Sequence, residues 1–516
     1  MPIYPAGSIN TSALVVPDLY VLIVPPQPAI NGVPSNIVGV VGGASWGPLN
    51  SPIPIGSYSE FQTYFGALNN ATYDAGTAVA IMQQQGASAF SVVRVSDGTD
   101  TKASYTLGTS PSEITFTALY SGTTGNSISV IISAGGASAS WNVSVVLPGV
   151  LNELFVNITG MGNAFWVNVA NAINNGQGPL RGVSQLISAT ASTGVTAATA
   201  ATYNLTGGTN GMSGLTTTTE VGTNGVPRTG MYALLQQDIS VLLLADATDQ
   251  TQWSTILGFA LTNGMYAMVP FAAGTSISTA ITDIQSDGLD SFGIKAMHGD
   301  WLYWYDQVNQ LTRLVSPASF AAGKIAALDP SQSSLNKQLF GISGSQTAGL
   351  VGSPQQYTYS SADLQALFSA GIDVICNPAP GGAYWAVRGG INTSLNAAVN
   401  GDNYTRLTNY IASTLNAGLG IFVGQKITSS MDQSAVATIG SYLSNLLQQS
   451  LLGDPNQTPL PYKVIGGLGA GTPNPQSLTG LGYYRINVAV TYAPINRFFI
   501  VALQGGQTVV TSQSLV

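Results

Sequence analysis

At 516 residues the chain is too long for one ordinary core, and roughly two to four domains, each with a sizeable apolar interior, are expected. Only 7% of residues are charged, against about 25% in a typical soluble domain, so Gly, Ser, Thr, Asn and Gln must carry the surface. Fourteen Lys and Arg residues and a formal net charge of -8 exclude a general nucleic-acid binder, which needs clustered cations to neutralise phosphates.

In chain order, residues 1 to 30 are punctuated by Pro17, Pro25 and Pro26, which rule out a helix and a central strand alike. The stretch "DLYVLIV" is therefore read as part of an extended N-terminal arm. "SNIVGVVGGASWGP" predicts a buried strand ending in a glycine-rich turn, and "SYSEFQTYFG" a short helix capped by Ser57 or Ser59 and closed by Gly66. "DAGTAVAIMQQQGA" predicts an apolar-striped helix and "AFSVVRVSDG" a strand.

From about 101 to 224 the texture becomes rich in Ser, Thr, Gly and Asn, with short alternating strands such as "EITFTALYSG", "SISVIIS", "WNVSVVL" and "ELFVNITG". This is read as an inserted β-rich module whose tail, "ATASTGVTAATAATYNLTGGTNGMSGLTTTTE", is loop. Alternation returns with "ISVLLLAD" (strand), "QTQWSTILGFALTNG" (helix), "YAMVPF" and "FGIKAMHG" (strands) and "SFAAGKIAAL" (helix), the order of a largely parallel, helix-covered sheet. After about 355 come the helix "SADLQALFSAG", the strands "IDVICNP" and "YWAVRG", and two amphipathic helices. One carries Leu407, Tyr410, Ile411, Thr414 and Leu415 as a stripe; the other carries Ile439, Tyr442, Leu443, Leu446 and Leu447. Long strands over "YYRINVAVTYAP" and "NRFFIVAL" complete an α+β unit.

The fold class is thus a multidomain α/β and α+β chain. It comprises an N-terminal arm (1–30), a discontinuous α/β middle domain (31–100 and 225–354), the inserted domain (101–224), an α+β C-terminal core domain (355–504) and a C-terminal arm strand (505–516). The last element, Thr508, Val509, Val510 and Thr511, is β-branched and follows a Gly505-Gly506 hinge. The first residues carry no basic region followed by an apolar core, and no run reaches membrane-spanning length, so neither a secretory leader nor membrane insertion is expected.

Signals for chemistry are sparse. The single histidine, His298, excludes a multi-histidine metal site and is read as a hydrogen-bonded loop residue. The single cysteine, Cys376, in "GIDVICNP", reads as a small core residue. Asp283, Asp287 and Asp290 lack the spacing of a calcium loop, and "GGLGAG" and "VGVVGGASWG" lack the context of a phosphate loop. The aromatic run "DWLYWYD" has no interleaved cations and is read as core or subunit-contact packing. No catalytic, cofactor or metal site is expected. Charge is uneven: from Arg388 onward six basic residues oppose three acidic ones, a net of +3 that leaves -11 for the first 387 residues. The basic set, Arg388, Arg406, Lys426, Lys463, Arg485 and Arg497, is a candidate surface for an acidic partner.

The order of several stretches resembles the contractile tail sheath family of myophages. Its opening pattern falls on Pro17 and Tyr20, Gly47 and Pro48, Pro52 and Ile55, and Phe61, Phe65 and Gly66. The resemblance continues at Gly86, Arg94 and Val95, at the turn Gly122, Gly125 and Asn126, and at Leu205, Gly207, Gly208 and Gly211. "VSPASFAAGKIAALD" and "GIDVICNPAPGGAYWAVRGG" are similar to later segments; Trp385 and Arg388 match there, with Ala386 in place of the usual Gly. Arg406 matches the family's Arg-Arg-Leu helix, with Thr405 replacing the first Arg.

The resemblance implies a structural subunit rather than an enzyme. Such subunits stack as hexameric rings around a tail tube, contract when a baseplate triggers them, and drive the tube through the host envelope for genome delivery. It implies assembly in the host cytoplasm, residence in the virion tail, and self, tail tube, baseplate and tail terminator as partners. Leu19, Tyr20, Val21, Leu22 and Ile23, with Thr508–Thr511 beyond the Gly505-Gly506 hinge, become inter-subunit arms that add strands to neighbours. The basic C-terminal set becomes tube-facing, and the inserted domain lies outside. A tailocin or other contractile injection system is the alternative within this class. Outside it stand a secreted surface-layer or adhesin protein and a polysaccharide-active enzyme. Low charge also limits self-repulsion in a homopolymer, so tolerance of acidic surroundings is expected.

Overall fold

Strands that read as unbroken apolar runs need cover on both faces, and the computed structural model provides it. The structure describes residues 32–109, 112–192, 199–350, 359–377 and 379–501, with Ile30, Leu503 and the short pairs Ile3–Tyr4 and Val21–Leu22. Seven strands form one sheet in the order Ile372–Asp373, Ile294–Met297, Tyr266–Pro270, Val241–Leu244, Val38–Gly42, Phe90–Arg94, Ile53–Ile55. Every neighbouring pair is parallel except the last. Val38, Val40, Val241 and Leu243 face helices Tyr58–Phe65, Ala75–Gln84 and Pro317–Ala327. Val41, Leu242, Leu244 and Val269 face helices Trp253–Thr262, Ile277–Ser286 and Ser361–Ser369 on the other side.

The sheet is doubly wound: strand order reverses between Val38–Gly42 and Val241–Leu244, the place where such folds leave a crevice at the carboxyl ends of their strands. The two helices on the first face approach closely at Gly323, where an added Cβ would stand 2.6 Å from Met82 Cα. Gly323→Val should therefore force helices Ala75–Gln84 and Pro317–Ala327 apart. An overpacking penalty of about 1–3 kcal/mol is expected as a lowered urea midpoint, and an unchanged midpoint would refute the close approach.

The insertion has its own core. Strands Leu151–Thr159, Ser140–Leu147, Ser129–Ala134 and Ala201–Asn204 form one sheet, and Ile187–Ala191, Ser112–Ser121 and Lys102–Thr109 a second, both antiparallel. Phe116, Phe155, Phe165, Trp166 and Trp46 pack with their apolar faces. Helix Asn163–Asn175 supplies Phe165, Trp166, Val169 and Ile173 to this core and was not expected from the sequence. Its first turn has no side-chain cap, and Asn residues break up its polar face, so the usual start signal is absent. The stretch read as loop contains strand Ala201–Asn204 and helix Thr217–Val221, while residues 193–198 lie outside the described residues.

The motif glycines close the neck of the insertion. A Cβ at Gly122 would meet Ser45 O at 2.1 Å, and one at Gly208 would meet Gly122 O at 2.3 Å. Arg94, fully buried, donates to Gly47 O and Ser121 O at 2.7 Å and to Asn210 O at 3.2 Å, tying both ends of the insertion to the sheet. Burial lowers its pKa to about 10, so it remains a cation at neutral pH.

The chain divides into two compact units, 29–424 and a second made of 1–28 with 425–516. The expected boundary at 354/355 is corrected by this division. Strand Ile372–Asp373 extends the parallel sheet through Ile294–Met297, so the segment after 355 belongs to the first unit as far as 424. In the second unit, helix Ser429–Gln448, capped by the Thr428 side chain, buries Ile439, Tyr442, Leu443, Leu446 and Leu447 as their spacing predicts. Strands Tyr462–Ile465 and Asn487–Val490 pair antiparallel, and Asp432 Oδ1 accepts bonds from Gly467 N and Tyr484 Oη at 2.6 Å each.

Candidate assembly surfaces

The second unit ends in an unusual way. The long strand expected over "NRFFIVAL" is not formed: residues 491–501 carry no ladder, and Phe498, Phe499, Ile500, Val501 and Leu503 are 70–90% exposed. An apolar, β-prone stretch becomes a strand only when an edge is offered to it. The hairpin Tyr462–Ile465 with Asn487–Val490 has two strands, fewer than independent stability requires, and its residues are half-buried or exposed on both faces. Both features call for strands from another source.

Of the expected arm residues, Val21 and Leu22 form a two-residue strand pairing in parallel with Ile3–Tyr4. Leu19, Tyr20 and Ile23, the Gly505-Gly506 hinge and Thr508–Thr511 lie outside the described residues.

Within the basic set, Arg406 lies inside the larger unit. Arg406 is 5% exposed, and its guanidinium donates to Leu328 O, Asp329 O and Ser35 O at 2.8–3.0 Å. It is a structural clamp for three carbonyls, which corrects its assignment as a cation facing a partner. Arg388 is half-buried, Arg497 is partly covered, and Lys426, Lys463 and Arg485 are exposed.

The strongest polar constellation was not anticipated. Lys295 Nζ donates to Asp373 Oδ2 at 2.6 Å, Ile391 O at 2.8 Å and Asp402 Oδ1 at 3.1 Å, with all three charged side chains at 0% exposure. Tyr266 and Ser334 also donate to Asp402, and the amides of Val374 and Gly389 to Asp373. Burial alone would lower the lysine pKa, but the two carboxylates offset this and hold it above its ordinary value. Burial alone would raise Asp402, but Lys295 and the two hydroxyls hold it below the usual range. The cluster joins two strands of the sheet to helix Asp402–Leu419, whose buried face includes Asp402, Thr405 and Arg406 as well as Leu407, Ile411 and Thr414. The signal was present in "FGIKAMHG" and "GIDVICNP", each with one charge inside a buried apolar strand.

The remaining candidates are accounted for by packing. His298 bonds through Nδ1 to Tyr359 Oη at 3.2 Å, and that hydroxyl donates to Asp300, so the ring reaches the carboxylate only through the tyrosine. Ser345 also donates to Asp300, not to the ring, so nothing here aligns a nucleophile with a base. In the aromatic run, Leu302 and Trp304 are buried and Tyr305 is exposed. Cys376 is buried, its thiol pushed up to about 11 by burial. Among the described residues no group of three His, Cys, Asp or Glu could hold a metal ion, and no helix is long and apolar enough to cross a membrane.

No protein-family model matches the chain, and no curated protein sequence matches it significantly. Solved structures do. A sheath tail protein from Listeria innocua is similar over 85% of this chain and 89% of its own, with TM-score 0.58 and 15% identity. One from Desulfitobacterium hafniense covers 87% and 93%, with TM-score 0.55 and 15% identity. The sheath of the extracellular contractile injection system PVC, in its contracted state, covers 96% and 99%, with TM-score 0.56 and 12% identity. The likeness runs through most of the length of each, and the chain has the fold of the contractile tail sheath proteins.

Proposed function

We propose that the chain is the structural subunit of a contractile sheath, a helical homopolymer that surrounds an inner tube and shortens to drive it through a cell envelope. The observation that carries this reading is an exposed apolar ribbon, Phe498, Phe499, Ile500, Val501 and Leu503, on a chain whose fold is shared over 85–96% of its length with sheath proteins. Neighbouring copies are joined by strand addition: the ribbon, the arm beyond Gly505-Gly506 and the N-terminal arm complete two-stranded hairpins on other subunits. Main-chain hydrogen bonds do this work without ions, which suits a surface with 7% charged residues. In this reading the partners are further copies of the chain, a tube protein, a baseplate and a terminator. The role is mechanical rather than enzymatic.

A phage tail with genome delivery is one setting. An injection system without a genome is supported equally, since the PVC sheath and the contracted sheath of the anti-feeding prophage are both similar over 96% of this chain. Negative-stain microscopy of the purified protein tests the common core. Hollow, ring-striated tubes are expected, and monodisperse particles at all concentrations would overturn it. DNA in particles purified from the source organism separates the two settings.

A further inference from the structure

The crevice where strand order reverses is filled by the protein's own carboxyl groups. Asp246 follows strand Val241–Leu244, and its Oδ2 accepts the Tyr73 amide at 3.2 Å. Tyr73 O in turn accepts the Gly43 amide at the end of strand Val38–Gly42. Asp74, 2% exposed, caps helix Ala75–Gln84 and accepts four bonds, from Thr77 N, Thr77 Oγ1, Asn69 N and Asn69 Nδ2. Glu220, in helix Thr217–Val221, is 0% exposed, and neither of its carboxyl oxygens has a hydrogen-bond partner. The Ala245 amide beside it is already given to Val41 O at 2.9 Å.

The three carboxyls differ sharply in how many donors serve them. Burial raises Asp74 above its ordinary value, and its four donors and the helix N-terminus offset this only in part. Glu220, with none, is built to carry a proton, because a dry, unpaired carboxylate is far more costly than a neutral acid. We propose that the Glu220, Asp246 and Asp74 group is a proton-dependent clasp that firms the ends of the central strands as the surroundings acidify and loosens them as pH rises. A cavity of about 200 Å³ is walled by Asp74, Asp246 and Arg313.

The charged and titratable groups facing the clasp are Tyr73 and Asp74 from the loop before helix Ala75–Gln84, Tyr58 from helix Tyr58–Phe65, Asp246 from the strand end, and Arg313 from strand Leu311–Val315. Arg313 is itself engaged by Asp306 at 3.1 Å. Burial, with Asp246 nearby, pushes Glu220 well above the carboxylate range, and burial pushes Asp246 up to about 6. A carboxyl raised in the folded chain takes up a proton on folding. Its contribution to stability therefore grows as pH falls through the folded value toward about 4.3, the value of an exposed glutamate. His298, lowered by burial, acts in the opposite sense as pH falls below about 6.5, so a comparison with a variant is needed to isolate the clasp.

Glu220→Gln supplies that comparison, because glutamine has the shape of the protonated acid and cannot ionise. In the full chain, the thermal midpoint of the variant is expected to exceed that of the parent by about 2–4 °C at pH 8, with the gap closing toward pH 5. A gap that stays constant with pH, or a variant less stable than the parent at pH 8, overturns the proposal. Infrared spectroscopy of the unmodified protein gives an independent reading. The carbonyl band of a protonated carboxylic acid is expected at pH 7 and its absence there overturns the proposal as well.

Discussion

Lys295→Met is expected to lower the stability of the larger unit by about 3–5 kcal/mol, read as a shift of the urea midpoint at unchanged slope. Methionine matches the lysine side chain as far as Cε and lacks only the ammonium, so little of the loss comes from a cavity. It comes from Asp373 and Asp402, which stay fully buried with no counter-charge. The amides and hydroxyls that also serve them satisfy hydrogen bonding but not charge. The pH dependence follows by sign. Asp402 is depressed in the parent, so its contribution is present above the ordinary carboxylate range and is lost as pH falls through its folded value. Lys295 is raised, so its contribution is complete below about 10.4 and is lost only above that. The cluster is therefore constant across neutral and mildly acid pH. The methionine variant, whose stranded carboxylates favour protonation, should recover part of its loss as pH falls. A midpoint shift worth less than about 1 kcal/mol would show that the cluster is not the lock described.

Much of the architecture was legible in the sequence because covering a parallel sheet on both faces leaves an unmistakable pattern. "IVGVVG", "VLLLA" and "YAMVPF" carry no charged or amide position, and each contains a strand of the central sheet. The first helix is capped by Ser57, one of the two caps expected for it. Helix Asn163–Asn175 escaped because Gly162 caps it without a side chain. The boundary at 354/355 was misplaced because the strand that carries the sheet past it, Ile372–Asp373, is only two residues long.

Charged groups were the least legible. Lys295 lies 78 residues from Asp373 and 107 from Asp402, and Arg406 lies 371 from Ser35, so no local pattern could pair them. Arg406 looked like a surface cation because most arginines are. In a chain with fourteen basic residues, however, several are spent inside as ties, and Arg94 and Lys295 are fully buried as well. Hydroxyl pairs such as Thr101 with Thr209 and Thr106 with Thr115 stand on the exposed strands instead of ions. The same substitution of neutral bonds for charges should govern how copies meet.

Removal of residues 507–516 is expected to abolish tube formation while leaving the circular dichroism spectrum and thermal midpoint of the monomer unchanged. The fold should tolerate the loss because the last described apolar residues before that point, Phe498, Phe499, Ile500, Val501 and Leu503, are each at least 70% exposed. Assembly should not tolerate it. A four-residue strand such as Thr508–Thr511 adds about four ladder bonds to a neighbour, each worth about 0.5–1.5 kcal/mol net, so its loss weakens each contact by roughly two to four orders of magnitude. In a polymer every subunit gives and receives such a strand, and the deficit recurs at each contact along the tube. Lowering ionic strength should not rescue the truncated chain, since backbone bonds carry no net charge to unscreen. Tubes of normal length from the truncated protein would remove the strand-addition account, and a fall in the monomer's thermal midpoint would place these residues inside the fold instead.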